Sequence, residues 1–383
     1  MIKSINDLLV YKVGGCVRDQ LMGLPANDID YVVVGATVDD MLMLGFKAVG
    51  NEFPVFIHPH THEEYALARS EKKSGIGYKG FTFYTNTDVS LIDDLKRRDL
   101  TINAIAIDKH NQYIDPFGGI DDIKNKILKH VSNAFSEDPL RVLRIARFKA
   151  KLGFRIAPET IKLMKLIVDN KELLSLSNER IWKETHKALM TPNILEYFQV
   201  LYNVGALNQI LHECTFLITN SISKHKLNQL NQKMNDKNLT LEMRFAILCY
   251  ILNENEIDMH KFIQNSCMNK QARELAILIV QNYSQIHKLN LLSRDDIYNL
   301  IKQLDSIRKK DRYLKFIQLI NLIAYSLKDN IIIHNLIILK RIIFKISKID
   351  AETIKKNNIN FVLQIKLEQY KIIDDVMSIF HNK

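Results

Sequence analysis

The chain of 383 residues is sparing with cysteine and lacks any cysteine pattern. Its four cysteines, Cys16, Cys214, Cys249 and Cys267, include no C-x-x-C pair, so neither a zinc knuckle nor a disulfide framework is indicated, and reduced thiols in a cytoplasmic protein are the expectation. Long hydrophobic runs are missing too. The apolar stretch in the opening MIKSINDLLVYKVGG is too short for a signal peptide, and the greasiest later segment, residues 331–346, is broken by His334, Asn335, Lys340 and Arg341. No membrane span is expected. Acidic side chains are in the minority, and the resulting net charge of +10 favours a polyanionic partner, although a general bias toward Lys, Ile and Asn carries part of that excess. A length of 383 residues predicts two or three domains, and 47% hydrophobic content suffices for packed cores.

Against this background one stretch stands out, residues 13–34, VGGCVRDQLMGLPANDIDYVVV. It reads as a Gly-Gly turn, a short helix bearing Arg18 and Asp19, a Gly-Leu-Pro turn, and a strand that begins with two carboxylates. Alternate residues of a strand face the same way, so Asp28 and Asp30 are expected to project side by side. That arrangement suits a hard divalent cation such as Mg²⁺, which takes carboxylate and phosphate oxygens. Gly14 and Gly15 allow close backbone approach to a phosphate, and Arg18 can donate to it. The ordered combination, rather than any one part, points to nucleotidyl transfer.

Two further motifs supply what such a site needs. In LKRRDLTINAIAID, residues 95–108, Arg97 and Arg98 offer donors for a triphosphate, while Asp99 and Asn103, four apart on an expected helix, can grip a ribose. In SEDPLRVLRIARFKAKLGF, Asp138 reads as a helix N-cap with Pro139 at the first helical position and Gly153 as the stop. Arg141, Arg144 and Arg147 form a basic stripe on that helix. The segment resembles the E-D-x-x-R template of class II CCA-adding enzymes, and that resemblance implies that Asp138 accepts from the exocyclic amino group of cytosine or adenine while Arg141 donates to the neighbouring ring acceptors; uracil and guanine present a carbonyl oxygen instead.

Together these motifs resemble the polymerase-β-like nucleotidyltransferase superfamily, in the version carried by tRNA nucleotidyltransferases of class II (CCA-adding enzymes, γ-proteobacterial type) and bacterial poly(A) polymerases. The resemblance runs over about residues 10–210. It implies an α+β N-terminal head of the polymerase-β-like nucleotidyltransferase fold, residues 1–138, an all-α neck at 139–211 that recognises the base, and an all-α body and tail at 212–383 that bind tRNA. It implies Mg²⁺ on Asp28 and Asp30, and a nucleotide site for ATP and CTP built from Gly15, Arg18, Arg98, Asp99, Asn103, Asp138, Arg141, Arg144 and Arg147. The expected reaction is template-free addition of C, C and A to the tRNA 3′ end with release of pyrophosphate. Poly(A) polymerase, CC-only or A-only addition, and a non-catalytic RNA-binding protein on a decayed scaffold are the alternatives. Monomer and homodimer both stay open.

Other segments are read as support. Residues 69–84, RSEKKSGIGYKGFTFY, carry Gly75, Gly77 and Gly80 and are expected to form a mobile loop beside the site, with basic and stacking groups. His58, His60 and His62 alternate as a strand-borne metal site would, but the surrounding sequence resembles a structural hairpin of the family. Glu179, Arg180 and Glu184 match the E-R-x-x-x-E motif expected to brace the neck. Relatives often carry an HD phosphohydrolase site farther on; at the corresponding place this chain reads RFAILCYIL, with Tyr250 and Ile251 where His and Asp would stand, so that activity is expected to be absent.

Overall fold

A computed structural model describes residues 4–25, 29–49, 55–73, 81–84, 87–237, 239–255, 257–350 and 360–381; Asp28, Gly75, Gly77 and Gly80 lie outside them. The chain forms two compact units, Met1–Thr185 with Gln199–His212, and His186–Phe198 with Glu213–Lys383.

In the first unit a run of β-branched residues sets the central strand. Strand β2 (Asp30–Val34), DYVVV, pairs antiparallel with β1 (Leu9–Val13) and parallel with β5 (Glu64–Leu67) in a seven-stranded sheet. With β3 (Lys47–Val49), β4 (Val55–Ile57), β8 (Ala106–Ile107) and β9 (Tyr113–Ile114), the order is β3-β4-β5-β2-β1-β8-β9. Side chains alternate across the sheet, and both faces are covered. Val33 joins a core with Met41, Phe46 and Phe56, while its neighbour Val32 joins another with Val13, Leu95 and Ala106. The β1–β2 register sets Val13 opposite Asp30, which brings the glycine turn after β1 to the end of β2 that carries this carboxylate.

Several expected elements are present: the strand at 31–34 lies within β2, that at 55–57 matches β4, and that at 65–68 overlaps β5. The segment at 69–84 is not wholly a loop. Its flanks pair antiparallel as β6 (Ser70–Lys73) and β7 (Phe81–Tyr84), because FTFY is rich in strand-forming residues that outweigh the glycines preceding it. The three histidines do not share a strand face. They occupy the turn between β4 and β5, where Nδ1 of His58 accepts from the backbone N–H of His60 at 3.3 Å and of Thr61 at 3.1 Å.

Around the sheet lie α1 (Gly15–Leu21), α2 (Val38–Met43), α3 (Leu91–Lys96) and α4 (Gly119–Lys124). Gly119 is where backbone meets backbone. A Cβ there would stand 2.2 Å from the carbonyl oxygen of Thr101 and 2.9 Å from Ile105. Gly119→Ala is therefore expected to destabilise the unit by about 2–4 kcal/mol, read as a lower urea midpoint with unchanged m-value. An unchanged midpoint would contradict this packing.

The helices that follow are α5 (Leu140–Leu152), α6 (Pro158–Asp169) and α7 (Asn178–Leu189). Gly153 ends α5 at φ 71° as the sequence predicts, whereas the N-cap is Pro139, one residue after the expected Asp138, whose Oδ1 still accepts the Leu140 N–H at 3.1 Å. A short parallel pair, β10 (Ile127–Leu128) with β11 (Arg155–Ile156), flanks α5.

Among the described residues of the second unit the regular elements are all helices, joined by short turns. Its centre is helix Leu241–Leu252, buried from Met243 to Leu252. The buried Arg244 guanidinium donates to the carbonyls of Leu189, Met234 and Leu239, tying three chain ends to this helix. The Tyr250 and Tyr283 rings meet at a tilt with centroids 4.5 Å apart, the Tyr283 hydroxyl donates to Asp329 at 3.2 Å, and Ile251 is fully buried. Among the described residues no group of three His, Cys, Asp or Glu is placed to hold a metal, and no helix is long and apolar enough to cross a membrane.

Candidate active site

A cleft of about 470 Å³ opens in the first unit at the β1–α1 turn. Its walls include Gly14, Gly15, Asp30, Arg69, Arg97, Arg98, Asp99, Asn103, Asp138, Arg141, Arg144, Phe148 and Arg180. Arginines outnumber aspartates two to one in that lining, so the cleft is built for an anion. Gly14 makes the entrance possible. Its φ is +80°, and a Cβ there would come within 3.1 Å of Arg98 Nη1 and 3.8 Å of Asp30 Oδ2. The exposed Asp30 carboxylate beside this bare turn is a hard oxygen donor of the type a divalent cation takes, and it suits such an ion.

The arginines are held by buried carboxylates. Asp94 on α3 is fully buried and accepts from Arg97 Nη2 at 2.6 Å and from Arg98 Nη2 at 3.0 Å. Burial alone would raise its pKa; the two guanidinia outweigh it and hold the carboxyl below the usual range. Asp99 is more constrained still. Its Oδ1 accepts from the Leu100 N–H and from Asn103 Nδ2, both at 2.9 Å, and its Oδ2 accepts from Arg144 Nε at 2.8 Å. Here too burial is outweighed, chiefly by Arg144, and the carboxyl is held well below the ordinary carboxylate range. Asp99 and Asn103 do not share an α-helix as the spacing suggested. Leu100 is extended, at φ −130° and ψ 146°, and Thr101–Asn103 is a single 3₁₀ turn, yet that kink is what brings the two side chains into contact.

Behind the cleft the network continues. Buried Arg18 is not among the cleft-lining residues: its Nη1 donates to Asn103 Oδ1 at 2.6 Å and its Nε to Asp19 at 2.8 Å. Arg147 also lies behind, bonded to the buried Glu184 at 2.6 Å and placed 4.4 Å over the Phe148 ring. Phe148 carries three guanidinia, those of Arg18, Arg144 and Arg147, and so couples the stripe of α5 to α1. Arg141 is buried, its guanidinium donating to the Ala134 carbonyl at 2.7 Å and the Arg97 carbonyl at 2.5 Å. Asp138 faces the cleft with both oxygens on Arg180 Nη2, at 3.1 and 3.0 Å.

Sequence reasoning missed four of these residues as parts of the site, Asp94, Arg180, Arg69 and Phe148. Asp94 had a signal, since it stands three and four residues before Arg97 and Arg98 at helix-pair spacing. Arg180 was noticed only as a brace. Arg69 opens the basic segment expected beside the site but was not singled out, because its position depends on how β5 is placed against α3.

Comparison with known proteins follows the same outline. Residues 10–129 match the family model described as poly A polymerase head domain, and residues 153–217 the one described as probable RNA and SrmB-binding site of polymerase A. A "Multifunctional CCA protein" of Acinetobacter baumannii is 45% identical over 339 residues, covering 81% of this chain and 82% of that protein. A "CCA-adding enzyme" of Coxiella burnetii is 46% identical over 323 residues and covers 84% of each. Among solved structures, the Bacillus stearothermophilus CCA-adding enzyme in complex with CTP aligns with a TM-score of 0.69 at 22% identity, over 96% of this chain and 89% of that one. The Thermotoga maritima CCA-adding enzyme complexed with tRNA aligns with a TM-score of 0.67 at 20% identity, over 98% of this chain and 92% of that one. Both share the fold of a nucleotidyltransferase head followed by a helical body, and with relatives matched along four fifths of their length the chain belongs to the CCA-adding enzyme family of nucleotidyltransferases.

Proposed function

We infer that this chain performs the reaction of its family: it adds C, C and A to the 3′ end of tRNA from CTP and ATP, without a nucleic-acid template. The observation that carries this reading is one cleft in which a carboxylate at a glycine turn, an arginine-lined wall and the Asp138–Arg141 pair face a common space. The terminal ribose hydroxyl attacks the α-phosphorus, the new O3′–P bond forms as the bond to the β-phosphate oxygen breaks, and pyrophosphate leaves. Family membership implies a divalent metal ion, which we take to be Mg²⁺ held by Asp28 and Asp30. When bound, it supplies activation of the hydroxyl and charge stabilisation on the transferring phosphate.

The protein's own groups position the rest. Arg98 and Arg144 neutralise the triphosphate from the wall, Gly15 allows its close approach, and Arg18 and Arg147 support it from behind through Asn103, Asp99 and Phe148. Asp99 and Asn103 grip the ribose. Asp138 accepts from the amino group of cytosine or adenine while Arg141 donates to the ring. In this reading residues 1–138 are the catalytic head, 139–211 the base-reading neck, and 212–383 the body and tail for the tRNA acceptor arm. The four cysteines form no disulfide, which suits a cytoplasmic enzyme.

The test uses tRNA lacking its last three nucleotides, Mg²⁺, and CTP alone, ATP alone or both, with products resolved at single-nucleotide length. Growth by two with CTP and by three with both is expected. A stop at two would make the chain a CC-adding enzyme and an open-ended ladder with ATP a poly(A) polymerase; no growth would leave only RNA binding.

A further inference from the structure

The bond between Arg180 and Asp138 goes beyond bracing. Asp138 stands at the start of α5, and each of its oxygens already has a donor: Oδ1 takes the Leu140 N–H at 3.1 Å and Arg180 Nη2 at 3.1 Å, and Oδ2 takes Arg180 Nη2 at 3.0 Å. Arg180 arrives from α7, the Asp138 side chain keeps 25% of its accessible surface, and both residues line the cleft. A carboxylate on a short side chain can turn about its terminal bond, and terminal torsions of this kind are broad. Held at the helix end on one oxygen and bridged across both by one guanidinium, Asp138 loses that freedom. Its plane is set before any nucleotide enters.

The consequence concerns base choice. A guanidinium has donors and no acceptor, so a carboxylate bridged by it presents lone pairs, not a hydroxyl, to whatever lies beside it. A donor must complete such a contact, and cytosine and adenine carry an exocyclic amino group where uracil and guanine carry a carbonyl oxygen. Arg141, the partner reader, is fixed in the same way by the Ala134 and Arg97 carbonyls. We propose that Arg180 is a specificity-determining positioning residue: by bridging both oxygens of Asp138 it fixes the acceptor against which CTP and ATP are chosen over UTP and GTP. This rests on the reading of Asp138 as the group that accepts from the base.

The test measures kcat/KM for CTP and for UTP on tRNA lacking its last three nucleotides. For Arg180→Gln the UTP-to-CTP ratio is expected to rise about tenfold or more, through loss of CTP efficiency and gain of UTP efficiency. Arg180→Lys keeps the charge and loses the planar fork, and its ratio is expected to rise about threefold. Equal losses with both nucleotides and an unchanged ratio would show Arg180 to be a brace of the fold and overturn the proposal. Should Arg180→Gln fail to fold, the ratio for Arg180→Lys decides alone. Asp138→Ala, assayed alongside, separates the two levels. A wild-type ratio in that variant overturns the reading of Asp138 and with it this inference, whereas a raised ratio there with wild-type ratios in both Arg180 variants overturns the inference only.

Discussion

Asp30→Asn is expected to lower kcat for CMP incorporation by about a thousandfold, with thermal stability changed by no more than about 0.5 kcal/mol. The substitution keeps the shape of the side chain and removes its charge. Asp30 is held by backbone pairing to Val13 on one side and Glu64 on the other, and its side chain is exposed, where an isosteric change disturbs little packing. The reaction has much to lose. A neutral amide is a poor ligand for a hard divalent cation, and the charge that develops on the transferring phosphate goes uncompensated. Single-turnover rates at saturating CTP and tRNA separate this from a binding defect, because loss of a transition-state interaction lowers kcat and leaves KM nearly unchanged. Asp28→Ala is expected to abolish incorporation on the same grounds. If Asp30→Asn retains more than about a tenth of the rate, the assignment of Asp30 to the metal fails.

Asp94→Asn is expected to cost about 3 kcal/mol of stability and to raise KM for the nucleotide. Asp94 is the single buried carboxylate between Arg97 and Arg98, and it also accepts from the Arg69 backbone N–H at 3.4 Å. Removing one partner of a buried pair leaves the other charge without compensation, which is far more damaging than replacing both. Two guanidinia share this carboxylate, so the loss appears both in the urea midpoint and in the placing of the cleft wall. An unchanged midpoint would mean that water compensates both arginines. Acid tests the same point independently. Asp94 and Asp99 sit below the unfolded-chain carboxylate value of about 4, so the unfolded state binds more protons near that pH. The stability they contribute is fully present above about pH 4 and is lost as pH falls from there through their folded values. Urea midpoints measured from pH 6 to 3 should fall below pH 4, and less steeply in Asp94→Asn.

How much of this site was legible beforehand differs from residue to residue. Gly14, Gly15 and Asp30 are near one another in sequence, and the order of glycine turn, short helix and acid-headed strand is legible there, while the pairing of β1 with β2 that closes them together is not. Gly153 as a helix end, and the valines of β2 as a buried strand, follow from equally local chemistry. These choices are decided within a few bonds, where backbone dihedrals and side-chain caps act. The chain's basic balance likewise needs no coordinates.

The rest was decided by packing. Nothing local says that Arg144 should reach Asp99, 45 residues earlier, or that Arg180 should bridge Asp138, 42 residues earlier. Nor does any spacing rule show that Arg18 and Arg147 stand behind the cleft while Arg69 lines it. A guanidinium pairs with whichever carboxylate the fold leaves within reach in a low-dielectric interior, and the energy of that choice depends on burial and distance, which only the tertiary structure sets. The sequence by itself determined which chemistries were available, a carboxylate at a glycine turn, a set of arginines and a capped helix; the tertiary structure decided which of them share one cleft, because the pairing of buried charges is settled by the shape of the interior and not by position along the chain.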